Sequence, residues 1–253
     1  MNKKVKKEIG WLLKEKYKGK LTRAAEIDIE KLKRGEPIDY LIGFVEFLGC
    51  KIDLSLRPFI PESETEYWAE KAIENMKAGK DRNIRCLDIF AGSGCIGIAI
   101  LKACPEVCRR VDFAEIDKKF LKQIKINAEL NRINKKRYKI IQSNIFQNIR
   151  GEYDFIFANP PYIARRRLNK VQKSVLNFEP KKALLGGKDG LLYIKKFLEE
   201  AKKHLRKNGK IYMEFDSFQK KEIEKILKKF NYNNCKFYRD QYNKWRYLVA
   251  ELK

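Results

Sequence analysis

From Ile84 onward the apolar positions change rhythm repeatedly, and that rhythm predicts a fold. Ile84–Phe90, Val111–Ile116, Tyr138–Gln142, Tyr153–Ala158 and Lys210–Phe215 are short runs rich in β-branched and aromatic residues, which read as strands. Gly94–Ala103, Phe120–Leu130, Leu191–Leu205 and Lys220–Phe230 repeat apolar residues at helical spacing. Strands near Cys235–Tyr238 and Arg246–Glu251, joined by the short Asp240–Lys244 link, should pair antiparallel. This alternation predicts an α/β fold with a doubly wound, mostly parallel sheet.

Upstream the pattern is different. Val5, Ile9, Leu12 and Leu13 share one face of a helix ending near Tyr17, with lysines opposite. Ala24–Arg34, with Ile27 and Leu32, predicts a second helix stopped by Gly35 and Pro37. Such an appendage is too small for a core of its own, so it should pack on a neighbour or partner. Gly43–Leu54 alternates on both sides of Gly49, as a β-hairpin does. Ser63 and Glu66 have capping-box spacing before a helix with Tyr67, Ala69, Ala72, Ile73 and Met76 inward.

Composition adds a charge question. Lys+Arg 57 against Asp+Glu 33 leaves a net charge of +24. Clustered cations neutralise phosphates, but these lysines spread along every predicted helix, so charge alone selects no partner. The 6 cysteines form no disulfide framework. Cys104 and Cys108 lie four apart without a second pair, and His204 is the only histidine, so no metal site is expected. Met1-Asn2-Lys3-Lys4 opens a charged segment, not an apolar leader. No apolar run approaches the ~20 residues of a membrane span. A soluble, cytoplasmic protein of a reducing compartment is the expectation.

Chemistry gathers at the predicted strand ends. Asp88-Ile89-Phe90-Ala91-Gly92-Ser93-Gly94 turns a strand into a helix through glycines, which lets a ligand approach backbone and helix N-terminus. It is not the dinucleotide fingerprint. The next strand ends at Glu115-Ile116-Asp117, where a carboxylate can bind ribose hydroxyls or merely cap the following helix. The third ends at Ser143-Asn144-Ile145-Phe146, a polar edge with an apolar wall.

The fourth, Phe155-Ile156-Phe157-Ala158, runs into Asn159-Pro160-Pro161-Tyr162. Paired prolines stop a ladder, because they lack N–H donors and fix φ. The Asn159 carboxamide oxygen and a nearby carbonyl can accept both hydrogens of a planar NH₂, on which Tyr162 can stack. Such positioning suits methyl transfer from a sulfonium to nitrogen.

These residues resemble the amino-methyltransferases that use S-adenosylmethionine, and more narrowly the HemK/PrmC family of release factor glutamine methyltransferases. The supporting stretches are Pro37–Gly43, Phe47, Ile60–Glu66, Phe178–Leu184 and Gly187–Leu191, so the resemblance runs from Pro37 to the C-terminus. It implies a seven-stranded Rossmann-like class I methyltransferase fold with S-adenosylmethionine as cofactor. The implied acceptor is the Gln of the Gly-Gly-Gln loop of a class I peptide chain release factor, methylated on its side-chain nitrogen. By position, Phe90, Ala91, Gly92, Ser93 and Gly94 would lie under the methionine part. Glu115 would take the ribose, Asn144 and Ile145 the adenine. Asn159, Pro160, Pro161 and Tyr162 would hold the glutamine, with Asn159, Pro160 and Tyr162 catalytic and Asn159 also beside the cofactor.

The chain departs from that pattern in places. Glu62 stands where Arg is usual, Phe90 where Gly opens the loop, and Asn144 where Asp is usual. About 36 residues precede Pro37, where the family carries a larger helical domain. The implied organisation is a reduced helical recognition region over 1–36, a hairpin linker over 37–60 and a methyltransferase domain over 61–253. Alternatives are an adenine-N6-type DNA or RNA methyltransferase, a ribosomal-protein glutamine methyltransferase, or an inactive binding protein. Weak RNA or ribosome contact through the basic surface is a further expectation.

Overall fold

A computed structural model describes residues 3–232 and 234–252; Met1 and Asn2 at the head of the chain and Lys253 at its end lie outside the described residues. Helices α1 (Lys3–Tyr17), α2 (Arg23–Lys33) and α3 (Ile38–Ile42) come first. Leu12, Leu32 and Leu41 pack between them, so the appendage has a small core of its own, contrary to expectation. The sequence pattern missed α3, whose five residues are too few to show a period. Ile27 is 53% exposed, and the inward face of α2 is instead Ala25, Asp28 and Leu32. Asp28 earns its buried place by accepting from Lys16, Tyr17 and Lys31, which ties α1 to α2.

The hairpin is β1 (Phe44–Phe47) with β2 (Cys50–Asp53), followed by α4 (Ser63–Ala78). The capping box does not form. Glu66 Oε1 accepts from the Leu48 N–H at the hairpin turn, and Glu62 precedes α4 without a side-chain cap. Tyr67 is half-buried, while Trp68 is fully buried beside Ala69, Ala72, Ile73 and Met76.

Then come β3 (Ile84–Ile89), α5 (Cys95–Ala103), β4 (Cys108–Glu115), α6 (Lys118–Leu130), β5 (Tyr138–Gln142) and β6 (Tyr153–Ala158). A 3-10 turn (Arg165–Lys170) and the short α7 (Lys173–Phe178) and α8 (Lys181–Leu184) follow, none of them legible from periodicity. The chain closes with α9 (Leu192–Glu200), β7 (Leu205–Glu214), α10 (Lys220–Lys229), β8 (Cys235–Arg239) and β9 (Trp245–Glu251). Leu205 begins a strand rather than ending a helix, because a 3-10 turn at Ala201–His204 intervenes.

Seven strands form one sheet in the order β5–β4–β3–β6–β7–β9–β8. The first five are parallel, and β9 runs antiparallel to both β7 and β8. One core joins the sheet to α4, α5 and the hairpin; the other joins its opposite face to α9 and α10. The fold is therefore the expected α/β arrangement. The hairpin is docked on α6 by amides: Asn127 Oδ1 accepts from Asp53 N–H, and Gln123 Oε1 from Leu56 N–H. Among the described residues no helix is long and apolar enough to cross a membrane.

Candidate active site

Strand order reverses between β3 and β6, and ligands of open α/β sheets bind outside the carboxyl ends at such a point. A cavity of about 570 Å³ lies there, a size that suits a small-molecule site. Phe90, Ala91, Gly92 and Ser93 reach it from the loop after β3, Glu115 from β4, and Asn144 and Ile145 from the end of β5. Asn159, Pro160, Pro161 and Tyr162 reach it from β6. Gly94 stands apart from this lining. It precedes α5 at φ 77°, and a Cβ there would sit 3.2 Å from the Ile124 side chain.

The β3–β5 side is built largely from backbone. Phe90 and Ile145 hold φ of 61° and 52°, a conformation that costs a non-glycine residue about 1–3 kcal/mol and clusters at ligand sites. Phe90 therefore ends β3 instead of extending it. Glu115 Oε2 accepts from Gly92 N–H at 2.9 Å and Oε1 from Asp117 N–H at 2.8 Å. Burial raises its carboxyl above the usual range, while these donors pull it down. Asp117 is the helix cap, accepting from Lys119 N–H. Asn127 Nδ2 donates to Ser93 O, fixing the loop from behind. Asp88 Oδ2 accepts from Gly97 N–H; its Oδ1 is buried without a partner, and burial pushes the carboxyl up to about 8.

This side fits an adenosine-type group. Each Glu115 oxygen keeps a lone pair for a hydroxyl. Ile116, 52% exposed, lines the cavity with Phe120 and Ile145, an apolar surface left open beside a carboxylate.

The β6 side is built from side chains. Asn159 Nδ2 donates to Thr65 Oγ1 at 3.1 Å, and Thr65 donates to Glu214 Oε2 at 2.6 Å. Trp68 Nε1 donates to the same oxygen at 2.7 Å, and Tyr162 OH to Glu214 Oε1 at 2.8 Å. Glu214 is fully buried. Burial raises its carboxyl; the three donors and Arg246 act against that. An indole can only donate, so Glu214 Oε2 accepts from Trp68, and it accepts from Thr65 as well. Direction then propagates: Thr65 spends its proton on Glu214 and must accept from Asn159. The Asn159 amide is thereby oriented with Oδ1 unengaged, and Pro160 O likewise has no donor among the described residues.

The backbone of this turn is gripped from behind. Gln219 Nε2 donates to Tyr162 O and Gly190 O, and Ile163 N–H to Leu184 O. A Cβ on Gly186 would meet Pro161 O at 2.5 Å, and one on Gly190 would meet Tyr162 O at 2.2 Å. Glu179 Oε2 accepts from Ile60 N–H, joining the segment before α8 to the stretch between the hairpin and α4.

Sequence reasoning missed Glu214, Trp68 and Gln219, and read Thr65 only within a resemblance. The signal for Glu214 was one acid inside Ile211-Tyr212-Met213-Glu214-Phe215, a strand otherwise apolar. Glu62 also lines the cavity. Burial, with Glu214, Glu64 and Glu179 nearby, pushes its carboxyl up to about 8 against the pull of Arg246.

The fold and cavity have counterparts. The methyltransferase small domain family matches residues 70–184. Among solved structures, a T. thermophilus 16S rRNA methyltransferase in complex with AdoMet and guanosine superposes with TM-score 0.60 at 16% identity, over 83% of this chain and 50% of that one. A methyltransferase from Pyrococcus furiosus gives 0.56 at 22% identity, over 80% and 89%. These share the class I methyltransferase fold. Sequence similarity is more specific. The release factor glutamine methyltransferase of Flavobacterium psychrophilum is 34% identical over 227 residues, 88% of this chain and 78% of that protein. That of Thermodesulfovibrio yellowstonii is 33% identical over 213 residues, 84% and 75%. With a third of its residues shared along most of both chains, and the fold to match, the protein belongs to the release factor glutamine methyltransferase family.

Proposed function

We propose that the chain transfers a methyl group from S-adenosylmethionine to the side-chain nitrogen of the Gln in the Gly-Gly-Gln motif of a class I release factor. The observation that carries this reading is the preset Asn159 amide. Its Oδ1 and the Pro160 carbonyl are two acceptors at the head of one turn, the number a primary amide needs for its two N–H groups. Held so, the amide nitrogen is presented edge-on, and Tyr162, anchored by Glu214, covers its flat face. This is catalysis by positioning. The nitrogen sheds an acidic proton after transfer, so the site requires no strong base.

S-adenosylmethionine, when bound, supplies an electrophilic methyl on a sulfonium. Glu115 would hold its ribose, Ile145 and Asn144 its adenine, and Phe90 to Gly94 the methionine end, with the buried Asp88 behind them. Asn159, Pro160 and Tyr162 are the catalytic residues on this reading, and Pro161 fixes the turn. Thr65 and Glu214 are positioning residues that act through Asn159 and Tyr162. Residues 1–36 provide part of the grip on the release factor, 37–60 link, and 61–253 carry the chemistry. Cytoplasm is the workplace this substrate implies, and the basic surface adds a weak contact with RNA.

The test is transfer of labelled methyl from S-adenosylmethionine to purified release factor, ribosomal protein or RNA in separate reactions. Label on the release factor Gln, located by fragmentation mass spectrometry, is expected. Label on RNA or ribosomal protein but not on the release factor overturns the assignment.

A further inference from the structure

A second cavity, of about 610 Å³, lies away from the methyl-transfer site on the α4 face of the sheet, between α4 and strands β7, β9 and β8. Its floor is a cross-strand row. Tyr238 of β8 pairs with Tyr247 of β9, which pairs with Glu214 of β7; the next row is Lys236, Val249 and Tyr212. The rings are parallel rather than crossed: Tyr238 lies over Tyr247 with centroids 5.1 Å apart and planes at 13°, and Tyr247 over Tyr212 at 6.5 Å and 15°. Tyr247 and Tyr212 are buried, whereas Tyr238 is 37% exposed at the outer end of the stack.

The walls are cationic. Lys71, Lys210, Lys236 and Arg239 line the cavity, against Glu251 as its one carboxylate among the described residues. Glu251 is engaged by Asn234 Nδ2, and Lys71 is paired with Glu74. Lys236 forms no ion pair among the described residues; Arg239 donates to Asn243 and lies 4.4 Å over the Trp245 ring, and Lys210 donates to Asn75 Oδ1, each keeping N–H donors to spare. An edge strand gains from a lysine that repels strand addition, but that purpose calls for no tyrosine stack.

We infer that this groove binds single-stranded RNA, with a base continuing the stack on Tyr238 and the phosphates meeting Lys236, Arg239 and Lys210. Aromatic platforms flanked by cations are the device by which single strands are held without sequence readout. This locates the RNA contact proposed above and rests on that reading; the net charge of +24 supplies the long-range attraction. The choice of RNA over DNA rests on the release factor acceptor proposed above. The groove is also mechanically near the catalytic network: Tyr247 packs on Trp68, whose indole donates to Glu214.

The experiment is fluorescence anisotropy of labelled oligouridylate, roughly ten nucleotides long, titrated with the full chain at several salt concentrations. Tyr238→Ala is expected to weaken binding by about 5- to 100-fold, the loss of one base stack. Tyr238→Trp should retain affinity, and Lys236→Glu should lower the salt slope by about one or more phosphates. If the wild-type chain binds and none of these variants differs from it, the groove is not the site although the RNA reading survives. Absence of wild-type binding at low salt overturns both. Tighter binding of the oligodeoxyuridylate overturns the choice of RNA.

Discussion

The two ends of the catalytic cavity are made by different means. The end under β3, β4 and β5 is backbone: a glycine turn, two residues forced into left-handed φ, and a carboxylate fastened by main-chain N–H groups. The end under β6 and β7 is side chain: Asn159, Thr65, Trp68, Tyr162 and Glu214 in one hydrogen-bonded unit drawn from three distant segments. The difference matches the tasks proposed for them. A cofactor common to many enzymes can be held by turns. An amide must be presented in one orientation, which takes a directional chain of donors and acceptors. Fully satisfied buried networks rigidify in this way, and half-satisfied ones do not.

Substitutions should separate the two ends. The largest effect is expected for Asn159→Ala, a loss of about 10²- to 10³-fold in turnover, as when a preorganised polar group is removed. Calorimetry should find cofactor affinity little changed; equal loss of both would make Asn159 structural. Thr65→Val keeps the shape but frees the Asn159 amide to rotate, and should cost about 10- to 100-fold in single-turnover rate. On the other side, Glu115→Ala should weaken cofactor binding by about tenfold, the value of hydrogen bonds to a charged group. Unchanged affinity would hand the ribose role to Asp117.

The smallest effect concerns pH. The Glu62 carboxyl is raised from 4.5 to about 8 in the folded chain. Such a group favours the fold below about pH 4.5, and this contribution is lost as pH rises through 8. Glu62→Gln has no proton to lose. It should therefore melt above the parent at pH 9 and match it near pH 4, as read by calorimetric Tm. A difference independent of pH would mean that packing, not ionisation, sets the effect.

The same contrast explains what the sequence revealed. Glycines, prolines and strand-end acids announce themselves locally, so the cofactor-side residues and the Asn159–Tyr162 turn were legible, and alternation foretold the sheet. Glu214 was not, because a buried acid is recognised by its donors, and those stand on α4 and in the turn after β6, at least 50 residues away in the chain. Ser63 and Glu66 illustrate the opposite failure. Their spacing suits a capping box, yet Glu66 is taken by a hairpin N–H that no local pattern discloses. Residues 163–191 contain helices of four to six residues, shorter than any period can establish.

The central claim is that Thr65 acts through Asn159. A double-mutant cycle tests it most directly, with Thr65→Val, Asn159→Ala and their combination measured by single-turnover methyl transfer to a release factor. If the hydroxyl serves only to orient the amide, the double variant will be no slower than Asn159→Ala alone. If the two losses multiply, the residues act independently, and the oriented-amide account is wrong.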